Sequence, residues 1–302
     1  MDKIFVIFNP AARGEKSRRA RRFLEAKDGP SMTLAPTQRA GEAKALAAQA
    51  VAEGYKTIVA AGGDGTINEV INGIGTSGVA LAVLPLGTVN VFAKELCISG
   101  KLDTAWETIQ AAHTRTIDLA QADTNGSSRY FIQLAGVGFD AHAVRTASWG
   151  LKKKIGPLSY VWAGIKALSV RHAPVEVSVN GSGPLGRGVA VLVGNGRFYG
   201  GRFALFPRAR MDDGLLDVCV FQRAGYWDAL RYAQGIVRAA HINLGDVKYF
   251  QAEKLVCRAA DPVAIQLDGE DAGDAPVTFS VVARALRVIA PKPAAARSPE
   301  VP

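Results

Sequence analysis

Two glycine-rich turns place acidic and hydroxyl side chains at the ends of consecutive predicted strands. The first lies within AGGDGTINE at 61–69 and the second within PLGTVN at 85–90. A glycine after a strand lets backbone amides approach a phosphate, and the following helix adds unpaired N–H groups. Asp64 would repel a bare phosphate, but it is suited to orient a hydrated Mg²⁺ ion or a catalytic water. The two turns therefore predict a site for metal-bound phosphate.

An ordinary strand-to-helix connection is the alternative interpretation of each turn. An isolated pair of glycines usually has that role, because glycine adopts backbone angles that other residues avoid. The first turn combines its glycines with Asp64, Thr66 and Glu69, and a second turn follows, so we favour the phosphate site. Neither turn contains a GxxxxGK[ST] or a GxGxxG pattern, so a Walker-type loop or a dinucleotide fingerprint does not explain the turns.

Further acids follow predicted strands in the second half of the chain. Transfer of a phosphoryl group to a hydroxyl needs a carboxylate that accepts the hydroxyl proton. Asp268 and Glu270, within LDGED at 267–271, are candidates, and an exposed Asp-Gly hairpin is the alternative. MDDGLLDV at 211–218 offers carboxylate and carbonyl oxygens to a hard cation, or simply a turn that opens a strand.

The first half of the chain must place the two turns at one edge of a sheet. Short apolar runs, such as KIFVIFN at 3–9 and KTIVAA at 56–61, alternate with helical patterns such as GEAKALAAQAVAEG at 41–54. This alternation predicts an α/β N-terminal domain with a parallel, doubly wound sheet. Ligands of such sheets bind beyond the carboxyl ends of the strands, where both turns fall.

After Asp118 the sequence becomes dense in β-forming residues separated by glycine, proline and asparagine. This pattern predicts a β-rich, sandwich-like C-terminal domain. We place the N-terminal domain at 1–120 and the C-terminal domain at 121–283. The strand over 284–290 is a candidate to return to the first domain, and residues 291–302 are predicted to form a disordered tail. The helices expected in the second domain lie near 140–149, 157–171 and 226–239.

The composition limits the class of protein and its partners. The chain has 302 residues, 48% of them apolar, and a formal net charge of +9. No stretch approaches the roughly 18 apolar residues of a membrane span. The scattered Cys97, Cys219 and Cys257 argue against a disulfide framework or a structural zinc site and fit a reducing cytoplasm. The positive charge suits anionic lipid or a phosphorylated substrate, and no aromatic interleaving supports binding of nucleic acid.

One segment combines basic and aromatic residues in a way that could dock on lipid. SYVWAGIKALSV at 159–170 follows three lysines at 152–154. Its apolar side chains form one helical stripe, for which core packing is the preferred interpretation. The lysines could contact anionic headgroups.

As a set, the motifs resemble those of the diacylglycerol kinase catalytic-domain superfamily. Within it, the chain is similar to the soluble bacterial lipid kinases related to sphingosine and ceramide kinases. The motifs that carry the resemblance are, in order, NP at 9–10, GGDGTINEVING at 62–73, PLGTVNVFAKEL at 85–96, GVGFDA at 136–141, MDDGLLDV at 211–218 and LDGE at 267–270. The resemblance implies an NAD kinase/diacylglycerol kinase-like α/β domain, a β-sandwich-like lipid domain, ATP and Mg²⁺ as cofactors, and a lipid substrate at the membrane surface.

The resemblance also implies roles for individual residues. Asp268 matches the catalytic base, and Glu270 matches a second acid that binds Mg²⁺ or positions Asp268. The nucleotide contacts carry over to Asn9, Gly62, Gly63, Asp64, Gly65, Thr66, Gly87, Thr88 and Asn90. The metal ligands carry over to Asp213, the carbonyl of Leu215, Asp64 and Asp118.

Two positions depart from the family's pattern. Val91 replaces a carboxylate that could join a water-mediated metal network, and Arg210 stands where a further metal ligand is expected. We expect a cytoplasmic, peripherally membrane-associated kinase that phosphorylates diacylglycerol, or a similar lipid, to phosphatidic acid or an analogous phospholipid. A catalytically weak lipid- or nucleotide-binding protein of the same fold is one alternative. An NAD kinase is less favoured because a second signature of the TPTGSTAY type is missing, and the sequence leaves a homodimer open.

Overall fold

The computed structural model describes residues 3–10, 15–27, 29–124, 126–146, 173–179, 181–201 and 203–292. The chain divides into two compact units. The first unit contains Met1–Thr116 and Leu286–Pro302, and the second contains Ile117–Ala285. The divisions therefore fall at 116/117 and 285/286, beside the predicted 120/121 and 283/284.

The first unit is built on a parallel sheet, as the sequence predicts. Its strands run in the order β2-β1-β3-β4, and each neighbouring pair is parallel. The elements are β1 (Ile4–Phe8), α1 (Glu15–Glu25), β2 (Met32–Pro36), α2 (Glu42–Ala52), β3 (Thr57–Gly62), α3 (Asp64–Ile74), β4 (Ala80–Pro85), α4 (Val91–Glu95) and α5 (Leu102–Ala111).

Burial explains why these residues form these elements. All six residues of β4 are buried, which is typical of a central parallel strand with both faces covered. Helix α3 buries Ile67, Val70, Ile71 and Ile74, a spacing that keeps one helical face apolar. A Cβ at Gly73 would lie 2.3 Å from the carbonyl oxygen of Lys44, so glycine at this position lets α3 pack closely on α2.

The second unit is a β-sandwich, which confirms the predicted fold class. Its elements are β5 (Thr114–Thr124), β6 (Ser127–Phe131), β7 (Leu134–Gly138), α6 (Phe139–Thr146), β8 (Val175–Val179), β9 (Pro184–Gly188), β10 (Ala190–Gly194), β11 (Phe198–Tyr199), β12 (Phe203–Ala204), β13 (Leu216–Phe221), α7 (Tyr226–Val237), a 3₁₀ turn (His241–Asn243), β14 (Val247–Ala252), β15 (Lys254–Arg258), β16 (Ala264–Leu267), β17 (Glu270–Asp274) and β18 (Val277–Ile289). The first three residues of β5 and the last four of β18 belong to the first unit.

One layer of the sandwich is an antiparallel sheet with the order β14-β13-β10-β7-β16-β17. The other contains β18, β15, β8 and β9, with β5 and β6 beside them. Apolar side chains from both layers share one core, among them Val137, Val218, Val177 and Phe279. The opposite face of β13 is also buried, with Cys219 and Phe221 in a second apolar cluster.

The strand predicted over 284–290 is the end of β18. Its Arg287 and Val288 pair in parallel with Ala80 and Leu81 of β4, in the first unit. The helices expected near 140–149 and 226–239 correspond to α6 and α7.

Two other predictions fall on residues that the structure does not describe. The helix near 157–171 and its preceding lysines lie outside the described ranges, as does the predicted tail from residue 293 onward. Among the described residues, no helix is long and apolar enough to span a bilayer.

Candidate functional site

The two glycine turns contact each other in the first unit. The N–H of Leu86 donates to the carbonyl oxygen of Gly62 at 2.9 Å. A Cβ built on Gly87 would lie 2.7 Å from the Cα of Gly63, and one built on Gly63 would lie 3.3 Å from the Cα of Gly87. Both contacts are to backbone, which cannot move aside as a side chain can. Glycine at position 87 is therefore what lets the two turns approach.

Asn9 and Thr66 lie together beneath the first turn. The Nδ2 of Asn9 donates to the Oγ1 of Thr66 at 2.9 Å, and Thr66 is 6% exposed. A Cβ on Gly62 would overlap Thr66 at 2.5 Å. The structure thus brings together Asn9, which follows β1, and Thr66, in the first turn of α3. Both are among the nucleotide contacts that the resemblance implies.

Asp64 ties the first turn to the second. Its Oδ1 accepts a hydrogen bond from the N–H of Phe92 at 3.2 Å. Asn90, which precedes α4, has a left-handed φ of 51° and donates through Nδ2 to the carbonyl oxygen of Gly87 at 2.7 Å. Within the described ranges, the buried Oδ1 of Asn90 accepts no hydrogen bond. Gly65 and Thr88, which are also predicted to contact the nucleotide, are exposed.

Glu69 belongs to the first glycine motif in sequence, but its carboxylate contacts the start of helix α2. Its two carboxylate oxygens accept hydrogen bonds from the N–H groups of Gly41 at 2.9 Å and Ala43 at 3.1 Å. These amides lie at the start of α2, where the unpaired N–H groups of a helix favour an acid. The carboxylate of Glu69 therefore caps α2.

Asp268 is held by the backbone between β6 and β7 in the second unit. Its Oδ2 accepts from the N–H of Ile132 at 2.8 Å, and its Oδ1 accepts from Gln133 at 2.9 Å and Leu134 at 3.0 Å. Its own N–H donates to the carbonyl oxygen of Leu134 at 2.8 Å. With a left-handed φ of 47°, Asp268 occupies a backbone conformation that needs such contacts to persist. Glu270 lies on the same turn, 3.4 Å from the guanidinium of Arg129.

Asp118 and the segment around Asp213 also lie together. The fully buried carboxylate of Asp118 accepts from the N–H of Arg284 and the N–H of Gly214, each at 2.7 Å. Gly214 precedes β13 and Arg284 lies on β18, so the side chain of Asp118 links these two segments. A carboxylate oxygen that accepts one hydrogen bond keeps a second lone pair, so the metal role of Asp118 stays a prediction.

Asp213 forms a local turn at the predicted metal segment. Its Oδ1 accepts from the N–H of Leu215 at 3.1 Å, and burial is the main cause that raises the pKa of its carboxyl group. Arg210 contacts Asp212 at 3.3 Å. No group of three His, Cys, Asp or Glu side chains suited to a metal occurs among the described residues.

An apolar cavity of about 180 Å³ lies in the second unit beside α7. Leu192, Leu205, Phe221 and Ile236 supply part of its apolar lining, and Asp140 also faces it. Burial raises the pKa of Asp140. The sequence analysis did not identify this cavity, although the helical spacing of apolar residues in α7 was a usable signal.

The outward face of α7 is unusually apolar. More than half of the surface of four large apolar side chains is exposed there: Tyr226 (61%), Trp227 (77%), Leu230 (54%) and Val237 (67%). The same helix lines the cavity through Ala229, Tyr232, Ala233 and Ile236. One helix therefore presents apolar side chains both to a cavity and to solvent, and an exposed apolar patch of this kind usually marks an interaction site.

The chain matches two known domain families in succession. The diacylglycerol kinase catalytic domain matches residues 3–122. The YegS C-terminal NAD kinase beta sandwich-like domain matches residues 134–290.

Curated relatives and solved structures agree with these matches. The chain is 31% identical over 301 residues to the diacylglycerol kinase of Bacillus subtilis, covering 97% of each protein. It is 32% identical to a probable lipid kinase YegS-like protein of Pseudomonas aeruginosa, covering 96% of this chain and 95% of that one. A solved diacylglycerol kinase from Bacillus anthracis has a TM-score of 0.70 at 20% identity, over 96% of this chain and 97% of that one. Another solved chain from that organism, at 22% identity over 96% of each chain, has a TM-score of 0.79. Together with the contacting glycine turns and the β-sandwich, these matches show that the chain belongs to the diacylglycerol kinase catalytic-domain family with a YegS-type C-terminal domain.

Proposed function

We propose that the chain is an ATP- and Mg²⁺-dependent kinase that transfers the γ-phosphoryl group to the hydroxyl of diacylglycerol or a similar lipid. The observation that carries the proposal is the backbone contact between Gly63 and Gly87 at the start of α3. It leaves the turns without side chains where a phosphate needs to approach main-chain N–H groups. The curated relatives named as lipid kinases support the lipid as acceptor.

On the donor side, we assign the phosphate groups of ATP to the two turns and to the N-terminal amides of α3. Mg²⁺ in kinases is usually held by one or two carboxylates together with the substrate phosphates. The half-buried Asp64, already aligned by the N–H of Phe92, fits that donor set. When bound, the ion neutralises charge that develops on the phosphate oxygens.

On the acceptor side, the apolar cavity suits part of an acyl chain, and Asp268 is the proposed base. The lipid hydroxyl oxygen bonds to the γ-phosphorus while the bond from that phosphorus to the bridging oxygen breaks, and ADP leaves. The hydroxyl proton passes to the carboxylate of Asp268. The three backbone amides that hold this carboxylate fix its direction before the substrate binds, which reduces the cost of reaching the reactive geometry.

The test is transfer of labelled γ-phosphate from ATP with Mg²⁺ to a panel of lipids in mixed micelles. We expect label in one lipid class for the wild type and a loss of at least about 100-fold in Asp268→Asn, since a general base contributes roughly 100- to 10,000-fold. Asp261→Asn is the matched control, because Asp261 is an exposed acid at the opposite end of β16 from Asp268. Equal activity in the wild type and Asp268→Asn would refute the base assignment.

Failure to label any lipid would refute the kinase proposal itself. If ATP still binds, the result favours a lipid- or nucleotide-binding protein of the same fold. NAD is then the next acceptor to test.

We further propose that the protein associates with anionic membranes through the outward face of α7. Exposed Trp and Tyr side chains favour the bilayer interface, and the net charge of +9 favours anionic lipid. Trp227→Ser should reduce sedimentation with anionic vesicles, whereas Leu185→Ser, at an exposed leucine on β9, should not. Equal sedimentation of the two variants would exclude α7 as the contact surface.

A further inference from the structure

A chain of hydrogen bonds connects the apolar cavity with the turn that carries Asp268. At the cavity, the hydroxyl of Tyr199 donates to the Oδ1 of Asp140 at 2.9 Å. The Nε2 of Gln266 donates to the Oδ2 of Asp140 at 2.8 Å. The N–H of Gly269 donates to the Oε1 of Gln266 at 2.7 Å. We name this chain, Tyr199–Asp140–Gln266–Gly269, the polar relay.

The geometry of the polar relay determines which way the Gln266 amide points. A backbone N–H can only donate, so the atom of Gln266 that faces Gly269 must be its oxygen. The nitrogen is then directed at Asp140, a carboxylate that accepts it. Gln266 is 1% exposed, so water does not compete for either bond, and a broken bond would leave a buried polar atom unpaired.

A glycine on the neighbouring strand makes room for the polar relay. A Cβ on Gly136 would lie 2.5 Å from the Oδ2 of Asp140 and 3.0 Å from the Nε2 of Gln266. Gly136 belongs to β7, which pairs with β16 at Gln266. Any other residue at position 136 would displace one of the two side chains.

One end of the polar relay lies at the apolar cavity, and the other lies next to the proposed base. Asp140 and Tyr199 face the apolar cavity. Gly269 directly follows Asp268, and the two have left-handed φ values of 85° and 47°. Such a turn depends on surrounding contacts to keep its shape, and the bond from Gly269 to Gln266 is one of them.

We propose that Gln266 is a positioning residue that couples occupancy of the apolar cavity to the position of the Asp268 carboxylate. The proposal rests on the proposed function, because it assigns the cavity to the acceptor lipid and the turn to the base. A ligand that displaces Asp140 or Tyr199 moves Gln266, and Gln266 moves the N–H of Gly269. Filling the cavity thereby adjusts the residue next to the base, so that the base is best placed when a lipid is present.

Kinetics provide the first test. Gln266→Met removes both bonds and preserves the length of the side chain. We expect kcat with a long-chain diacylglycerol to fall about 10- to 100-fold, because misplacement by about 1 Å can cost 100-fold, while KM for ATP stays unchanged. Gln251→Met is the control, since Gln251 is an exposed glutamine on β14. An unchanged kcat in Gln266→Met, or a change in KM for ATP alone, would overturn the proposal.

Nuclear magnetic resonance provides a direct readout of the coupling. The sequence contains four Asp-Gly pairs, at 28–29, 64–65, 213–214 and 268–269. Carbonyl-¹³C aspartate combined with ¹⁵N glycine therefore isolates four amide signals, one of them from Gly269. Adding dioctanoylglycerol to the wild type should shift the Gly269 signal, and the same addition to Gln266→Met should not.

The outcomes separate the coupling from the kinase activity. A wild-type Gly269 signal that does not respond to dioctanoylglycerol overturns the polar relay, even if the protein phosphorylates lipids. A signal that responds in the wild type but not in Gln266→Met supports the relay, even if no lipid is phosphorylated, in which case only the proposed function fails. An equal response in both proteins shows that the coupling does not pass through Gln266 and also overturns the proposal.

Discussion

Replacement of Gly87 by alanine should separate the two glycine turns and impair nucleotide use. The added Cβ would lie 2.7 Å from the Cα of Gly63 and 2.8 Å from the Oδ1 of Asn90. Carbon atoms in contact normally stand at least about 3.5 Å apart, so the turns must separate by about 0.8 Å. A misplacement near 1 Å can reduce a rate about 100-fold. We therefore expect kcat/KM for ATP to fall by about that factor in Gly87→Ala.

The matched substitution on the facing turn should have a much smaller effect. A Cβ on Gly63 would lie 3.3 Å from the Cα of Gly87, which requires a displacement of only about 0.2 Å for normal contact. Gly63→Ala should therefore lose less than about tenfold on the same scale. Gly100→Ala is the control for the substitution itself, because a Cβ on Gly100 meets nothing within 4 Å.

The assay is lipid phosphorylation at varied ATP, together with calorimetric titration of the nucleotide into each variant. Thermal unfolding of each variant distinguishes loss of the site from loss of the fold. Equal losses in Gly63→Ala and Gly87→Ala, or wild-type activity in Gly87→Ala, would refute the argument that the contact between the turns shapes the phosphate site.

Two further predictions concern carboxylates of the second unit. Asp118→Asn should lower the free energy of unfolding by about 3 kcal/mol, since hydrogen bonds to a charged group contribute roughly 1.5–3 kcal/mol. The amide that replaces the carboxylate has one oxygen and cannot accept from both Gly214 and Arg284. A loss below about 1 kcal/mol in urea unfolding would contradict this prediction. Arg145→Met should cost on the order of 1 kcal/mol at neutral pH, because Arg145 contacts Asp271 and Asp274 at 2.8 Å and these side chains are partly exposed. The hydrogen bond from Arg145 is the main cause that lowers the pKa of Asp271. The stabilisation by this pair is therefore present above about pH 3.9, the pKa of Asp in the unfolded chain, and is lost as the pH falls through the lower pKa of Asp271 in the folded protein. Equal costs of Arg145→Met at pH 3 and pH 7 would contradict the assignment.

Much of the first unit could be predicted because its signals are local. The runs that became β1 and β3 are almost wholly apolar, which is typical of strands buried on both faces. Parallel neighbours bring their carboxyl ends to one edge, so the proximity of the two glycine turns follows from the pairing of β3 with β4. The pairing of Arg287 with Ala80 could be stated only as a candidate, because nothing local specifies which strand a distant segment joins.

The roles of single acids were harder to predict because their partners are remote in sequence. Glu69 lies inside the glycine motif, yet its amide partners are at the start of α2, 26 and 28 residues away. Asp118 accepts from amides 96 and 166 residues away. An acid beside a motif and an acid that anchors a loop look alike in sequence, because backbone N–H groups carry no residue-specific signal.

The acids of the LDGED turn differ in what holds them, and this difference bears on which one can act as a base. Glu270 contacts Arg129, and Asp271 contacts Arg145. The carboxylate of Asp268 instead accepts from three main-chain amides of the connection between β6 and β7. Main-chain donors are fixed by the path of the backbone, whereas an arginine side chain must itself be ordered. Backbone contacts therefore orient Asp268, whereas arginine side chains hold Glu270 and Asp271. Loss of Arg145 should consequently affect stability more than the direction of the Asp268 carboxylate.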